Sequence, residues 1–189
     1  MGDINVFIGP MKCGKTQNIL NEYKRQLIAG LKVMMFKPSI DTRCASNIVL
    51  SRNGIDIPAV SINKISDLEK YEADVYCIDE FQFLKGNVKT IERMADDGKK
   101  FFIAGLNLTA ERKPFGKMDD LLCIADNIYS LTAICENCKN DNAIYTYYKG
   151  SKDTDILIGD KEYAPVCRKC YNLLTKRDEA CSGRKVENI

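Results

Sequence analysis

Histidine is absent from the 189 residues, and so is tryptophan. Without imidazole, a proton acceptor working near neutral pH must be a carboxylate, a cysteine, a lysine or the substrate itself, and metal sites must be built from Cys, Asp and Glu. Long apolar runs are also lacking. None approaches the roughly 20 residues that span a bilayer, and the N-terminus shows no basic segment followed by an apolar stretch and a cleavage site. The expectation is a cytoplasmic protein that does not cross a membrane. Charge of one sign is not in excess either, since 28 Lys and Arg are scattered among 26 Asp and Glu for a net charge of +2. No basic face marks a dedicated nucleic-acid binder, so no nucleic-acid partner is expected and an anionic ligand would be held locally. Internal repeats, low-complexity tracts and Pro-rich linkers are missing as well.

Cysteine, by contrast, is plentiful. Nine residues, an odd count without a secretion signal, argue against a disulfide framework and for reduced thiols, some of them ligating metal. The length and the 45% hydrophobic content suit one main α/β domain with a small appendage.

Gly9-Pro10-Met11-Lys12-Cys13-Gly14-Lys15-Thr16 fits the phosphate-cradling pattern G-x-x-x-x-G-K-[ST]. Its surroundings match. Ile4-Asn5-Val6-Phe7-Ile8 reads as a short buried strand, and Ile19, Leu20, Tyr23, Leu27 and Ile28 recur at helical spacing up to Gly30. Inward-pointing backbone N–H groups and the positive end of the helix dipole together hold a triphosphate. Lys15 would reach the β/γ-phosphates and the Thr16 hydroxyl would ligate Mg²⁺.

Further along, Leu31–Lys37 forms an apolar strand stopped by Pro38, and a polar loop with Asp41-Thr42-Arg43 follows. Strand, helix, strand implies a right-handed parallel unit. Residues 64–72 read as a short helix, and Val75–Glu80 as an apolar strand ending in two acids. A helix over 85–97 stops at Gly98, a strand runs from Lys100 to Ala104, and another helix lies near 117–126. The alternation predicts an α/β fold of the P-loop NTPase type, a parallel sheet flanked by helices on both faces. From about residue 132 the texture changes to short segments, which places a boundary between a 1–131 nucleotide-binding domain and a small 132–189 zinc-ribbon-like domain.

Asp79 closes an apolar strand roughly sixty residues after the glycine loop, where the second acid of P-loop enzymes binds Mg²⁺ directly or through water. Glu80 is then left to accept or orient a proton from an attacking hydroxyl. The plainer alternative is a helix cap beside a solvated acid. Cys135-Glu136-Asn137-Cys138 and Cys167-Arg168-Lys169-Cys170 form two C-x-x-C knuckles, four thiolates in the arrangement tetrahedral Zn²⁺ accepts. Four cysteines leave no position for water, so the zinc would be structural and would tie the intervening segment into a loop.

Several blocks together resemble the type II thymidine kinases. They are the Gly-Pro-Met opening of the glycine loop, Asp41-Thr42-Arg43, Ile78-Asp79-Glu80-Phe81-Gln82-Phe83, Arg112-Lys113-Pro114-Phe115-Gly116, Leu131–Cys135, and Ile158–Tyr163 followed by Cys167–Tyr171. They run in the family's order from about residue 4 to 172. The resemblance implies ATP-dependent phosphorylation of the 5′-hydroxyl of thymidine, with deoxyuridine also accepted, in a homotetramer inhibited by thymidine triphosphate. It makes Glu80 the catalytic base and assigns Gly9 through Thr16, Asp79 and Gln82 to ATP and Mg²⁺, with Asp41 and Arg43 near the phosphate donor. Met11, Phe83, Leu106 and Phe115 match the nucleoside pocket, although Met11, Leu106 and Phe115 read equally well as packing. Thr146, Ile158, Gly159 and Tyr163 match the pocket and the lasso that closes over the base, a loop whose ends the zinc would anchor.

Departures from the usual family pattern are Lys12 and Cys13 for the commoner Phe and Ser or Ala, Phe81 for a small residue, Asn107 for Asp, and Ala110 for a pocket Phe. None removes a group needed for phosphoryl transfer. They bear on pocket shape and nucleoside preference. The competing expectation is a P-loop zinc-ribbon protein that binds nucleic acid with ATP as a switch, and the weak basicity together with the carboxylate beside the Mg²⁺ acid favours the kinase.

Overall fold

The computed structural model describes residues 2–41, 48–50, 56–150 and 162–183. β1 (Ile4–Ile8) leads through the glycine loop into α1 (Lys15–Ile28), and β2 (Val33–Pro38) follows. β3 (Ile48–Leu50) and β4 (Asp56–Pro58) form an antiparallel ribbon, and β5 (Val60–Ile62) precedes a 3₁₀ turn over Ile65–Lys70. β6 (Val75–Ile78), a second 3₁₀ turn (Phe81–Phe83), α2 (Lys89–Asp96), β7 (Lys100–Gly105), α3 (Met118–Ile124) and β8 (Asn127–Ser130) complete the larger part. β9 (Tyr145–Tyr148) and β10 (Tyr163–Val166) pair antiparallel, and α4 (Arg168–Gly183) follows.

The six-stranded sheet runs β5-β2-β6-β7-β1-β8 with every ladder parallel. Strand alternation divides its side chains between two apolar layers. Val6, Tyr76, Ile78, Phe101 and Ile103 face Ile91 of α2 and Met118 and Leu121 of α3. Phe7, Met35, Cys77, Phe102 and Ala104 face Ile19 and Leu20 of α1. Burial on both faces is why these strands read as continuous apolar runs. Rings of Phe36, Tyr76 and Phe101 stack across β2, β6 and β7 at 5.7 and 5.2 Å between successive centroids.

The expected alternation is present, with differences at the edges. The helix expected over 85–97 begins at Lys89, where the Asn87 side chain accepts the Lys89 N–H at 3.0 Å. The 64–72 segment is a 3₁₀ turn, and β3, β4, β5, β8, β9, β10 and α4 are elements that the sequence pattern does not announce. β8 escapes a sequence reading because all four of its residues are exposed; it is held by its ladder to β1. A third apolar cluster of Ala133, Cys135, Ala143, Tyr145, Val166 and Tyr171 surrounds the β9–β10 hairpin, with Cys13 and Leu108 packed against it. Among the described residues no helix is long and apolar enough to cross a membrane.

Candidate active site

The glycine loop turns on three residues with positive φ: Gly9 at 144°, Lys12 at 65° and Gly14 at 87°. At Gly9 a side chain has no room, since a Cβ there would lie 2.4 Å from the Leu131 carbonyl oxygen and 2.8 Å from Cys13 Sγ. Gly14 brings no side-chain acceptor to the first turn of α1, so that turn's N–H groups suit an anion. Lys15 is buried, and its Nζ donates to the carbonyls of Gly9 at 3.0 Å and Pro10 at 2.7 Å. Both contacts are to neutral oxygens, which a phosphate would outbid as a charged acceptor.

Across the sheet, β6 ends where β7 separates it from β1. Asp79 is buried there and accepts the Thr16 O–H on Oδ2 at 2.8 Å and the Glu80 N–H on Oδ1 at 3.0 Å. A hydroxyl and a carboxylate side by side at the loop mouth are the hard oxygen donors Mg²⁺ takes. Glu80 itself lies at φ 53°, a left-handed conformation that turns the chain abruptly from strand into the 3₁₀ turn. Such a residue is strained by on the order of 1 kcal/mol and persists only where its surroundings hold it. Gln82, 3% exposed, does so: its Nε2 donates to Glu80 Oε2 at 2.6 Å, and its Oε1 accepts the Leu106 N–H at 3.0 Å.

Two glycines allow that closeness. A Cβ on Gly105 would lie 2.9 Å from Gln82 Oε1, and one on Gly116, at φ 60°, only 2.0 Å from the Gln82 carbonyl oxygen. The loop between them therefore presses on the 3₁₀ turn, and Phe83 meets Phe115 edge to face with ring centroids 5.3 Å apart.

The four cysteine sulfurs of Cys135, Cys138, Cys167 and Cys170 lie within 4.8 Å of one another, and Cys138 and Cys167 are 3.8 Å apart. Zn–S bonds of about 2.3 Å put the corners of a tetrahedron about 3.8 Å apart, so the set fits zinc. Electrostatics agree. Burial pushes the Cys135 thiol up, but the N–H groups of Cys138, Cys167 and Asn137 outweigh it and bring it down to about 6. The Asn137 amide pulls Cys170 down from 3.1 Å, yet burial and the neighbouring thiols push it up to about 12.

This cluster is joined to the glycine loop. The Met11 N–H donates to Thr146 Oγ1 at 3.0 Å, and Lys12 Nζ donates to Glu136 Oε1 at 2.5 Å and to the Tyr163 carbonyl at 3.4 Å. The Lys12 ammonium, helped by Lys149, holds the Glu136 carboxyl below the usual carboxylate range. On the other side the Tyr171 O–H donates to the Ala110 carbonyl at 2.6 Å, while the Arg112 guanidinium lies 4.7 Å from the Tyr171 ring centroid and 5.4 Å from that of Tyr145.

The expected residues thus fall into connected sets. Lys15, Thr16, Asp79, Glu80, Gln82 and Leu106 form one hydrogen-bonded or sequence-adjacent series, Phe83 pairs with Phe115, and Met11 meets Thr146. Gln82, assigned to the phosphate donor by resemblance, has its amide engaged with Glu80 and Leu106. Tyr163 opens β10 and tilts against Tyr148 at 5.1 Å. Asp41 caps the turn after β2 through its N–H to the Pro38 carbonyl at 3.0 Å. Arg43, Ile158 and Gly159 lie outside the described residues. Sequence reasoning missed the Lys12–Glu136 pair, the Arg112 contacts and the Asn137–Cys170 bond; each joins residues far apart in the chain, and no local pattern announces it.

The family model described as thymidine kinase matches residues 2–171. Curated relatives named thymidine kinase include those of Pseudothermotoga lettingae, 33% identical over 94% of this chain and 99% of the relative, and Mesomycoplasma hyopneumoniae, 37% identical over 91% and 96%. The Bacteroides thetaiotaomicron relative, also named thymidine kinase, is 36% identical over 98% of this chain and 92% of its own length. With a glycine loop facing a paired Asp79 and Glu80 and a four-cysteine cluster alongside, the chain belongs to the thymidine kinase family.

Proposed function

We propose that the chain transfers the γ-phosphoryl group of ATP to the 5′-hydroxyl of thymidine, giving thymidine monophosphate, and accepts deoxyuridine as well. The observation that carries this is the series Thr16–Asp79–Glu80–Gln82–Leu106, which runs from the phosphate loop to the loop assigned to the nucleoside. Lys15 moves from the Gly9 and Pro10 carbonyls to the β/γ-phosphate oxygens. Thr16 and Asp79 would hold Mg²⁺, which when bound offsets the charge on the phosphoryl group in transit. Glu80 accepts the proton of the 5′-hydroxyl as its oxygen attacks, and Gln82 keeps one carboxylate oxygen in place for that task. Asp41 and Arg43 assist at the donor phosphates.

Met11, Phe83, Leu106, Phe115 and Thr146 line the nucleoside pocket, closed by Ile158, Gly159 and Tyr163 of the lasso. Zinc on the four cysteines is structural, and residues 132–189 act as a small domain appended to 1–131. Assembly as a homotetramer, inhibition by thymidine triphosphate bridging the pocket and the glycine loop, and a cytoplasmic location complete the proposal. The experiment is a panel: thymidine, deoxyuridine, purine nucleosides and single-stranded DNA are each incubated with Mg-ATP and the products separated by chromatography. Monophosphates of thymidine and deoxyuridine alone are expected. ATP hydrolysis stimulated by DNA with no phosphorylated nucleoside would overturn the assignment in favour of a nucleic-acid-binding protein.

A further inference from the structure

Two consecutive residues of the glycine loop are bonded to the cysteine-closed hairpin. The Met11 amide reaches Thr146 on β9, and the Lys12 ammonium reaches Glu136 in the first knuckle and the Tyr163 carbonyl at the start of β10. Glu136 is itself fixed, because its N–H donates to the Pro165 carbonyl at 2.9 Å. Its neighbour Cys135 is a ligand of the cluster, and Cys135 Sγ accepts the Cys167 N–H at 3.4 Å. The Lys12 backbone belongs to the phosphate cradle, yet its ammonium takes no part in the mechanism above. It lies instead against the metal-binding knuckle.

We propose that Lys12 and Glu136 form a strut that couples nucleotide occupancy of the glycine loop to metal retention at Cys135, Cys138, Cys167 and Cys170. Lys12 is a positioning residue in this scheme. A nucleotide on the loop holds Met11 and Lys12 in the cradle arrangement; that arrangement holds Glu136 and the two strands, and these carry two of the four ligands in place. Coupling between two binding sites is reciprocal, so zinc must tighten nucleotide binding by the factor by which nucleotide tightens zinc. The pair is partly exposed, with side-chain exposures of 26% and 37%, which keeps the effect modest. Exposed pairs of this kind correspond to a coupling of roughly 2- to 5-fold. Lys149, 3.6 Å from the other Glu136 oxygen, keeps that carboxylate partnered when Lys12 is replaced, so a variant reports the loss of the strut rather than an orphaned charge. The scheme rests on nucleotide binding at the glycine loop and not on the identity of the phosphoryl acceptor.

The test uses the full-length, zinc-loaded protein and measures the rate at which a chromophoric chelator strips zinc, with and without the magnesium complex of a non-hydrolysable ATP analogue. The analogue is expected to slow release in the parent, and the slowing should shrink ~2- to 5-fold in Lys12→Met and in Glu136→Gln. The double variant should be no worse than either single one, and Lys12→Arg should keep the effect. The affinity of the analogue, measured by calorimetry on zinc-depleted and zinc-loaded protein, should differ by the same factor as the zinc affinity measured by equilibrium competition with the chelator in the absence and presence of the analogue. An analogue that leaves zinc release unchanged or speeds it, or single-variant effects that add in the double, would overturn the strut. Retained coupling in a protein that phosphorylates no nucleoside would leave the strut standing and remove the acceptor assignment instead.

Discussion

Gln82 grips Glu80 from one side and the loop after β7 from the other: its Nε2 donates to Glu80 Oε2 at 2.6 Å while its Oε1 accepts the Leu106 N–H at 3.0 Å. One buried amide thereby sets both the direction of the Glu80 carboxylate, the proposed base, and the position of the loop at Leu106. Gln82→Leu removes both bonds. It should lower kcat by on the order of 10–10²-fold, the penalty for a misplaced reacting group, and leave the half-buried Leu106 N–H unpaired at about 1 kcal/mol of stability. Steady-state kinetics and thermal melting check this. A melting temperature that falls while kcat holds would make Gln82 a packing residue only.

Glu80→Gln preserves volume and removes the proposed proton acceptor. Turnover should drop about 10²–10⁴-fold with nucleotide binding nearly intact, whereas Lys15→Ala should weaken nucleotide binding as well. Titration calorimetry with an ATP analogue beside kinetic assays separates the two outcomes. Near-native kcat in the Gln variant would reduce Glu80 to a structural partner of Gln82.

Zinc should be present at one ion per chain and survive mild dialysis. Its removal by a strong chelator should raise amide exchange in the β9–β10 hairpin and the first turn of α4 far more than in β1, β6 and β7, because the hairpin's core is small and the sheet's is not. Elemental analysis of fresh protein with less than about a tenth of an equivalent of zinc would contradict this.

Ala110 stands where the resembled family commonly carries a ring, and its carbonyl is pinned by the Tyr171 O–H at 2.6 Å. With the backbone held at α4, Ala110→Phe should add a ring without relocating the loop, and should shift preference away from bulky 5-substituted deoxyuridines. Competition assays across a 5-substituent series measure it. An unchanged order of preference would place Ala110 outside the pocket.

Features built from neighbouring residues were legible beforehand. The apolar runs of β1, β2, β6 and β7 follow from burial on both sheet faces; the glycine loop follows from Gly9 and Gly14, where side chains meet steric or conformational limits. Asp79 and Glu80 were placed correctly at a strand end because parallel strands present their C-terminal edges to ligands. What stayed hidden depends on distant partners or on local geometry the pattern does not encode. The Lys12–Glu136 contact spans 124 positions, and the left-handed turn at Glu80 is imposed by Gln82 and the loop behind it. β8 is too short to announce itself: Ile128 and Tyr129 are its two apolar residues, both are exposed, and the segment is held as a strand by its ladder to β1 and the stacking of Tyr129 on Phe7.

A single-turnover experiment with ATP labelled on the γ-phosphate, enzyme in excess, in the presence and absence of thymidine, separates phosphoryl transfer from hydrolysis. The label should pass to thymidine in one exponential phase that Glu80→Gln slows by about 10²-fold or more, with negligible release of labelled phosphate when thymidine is omitted. Label appearing as free phosphate at the same rate with or without thymidine, and none on the nucleoside, would contradict the account.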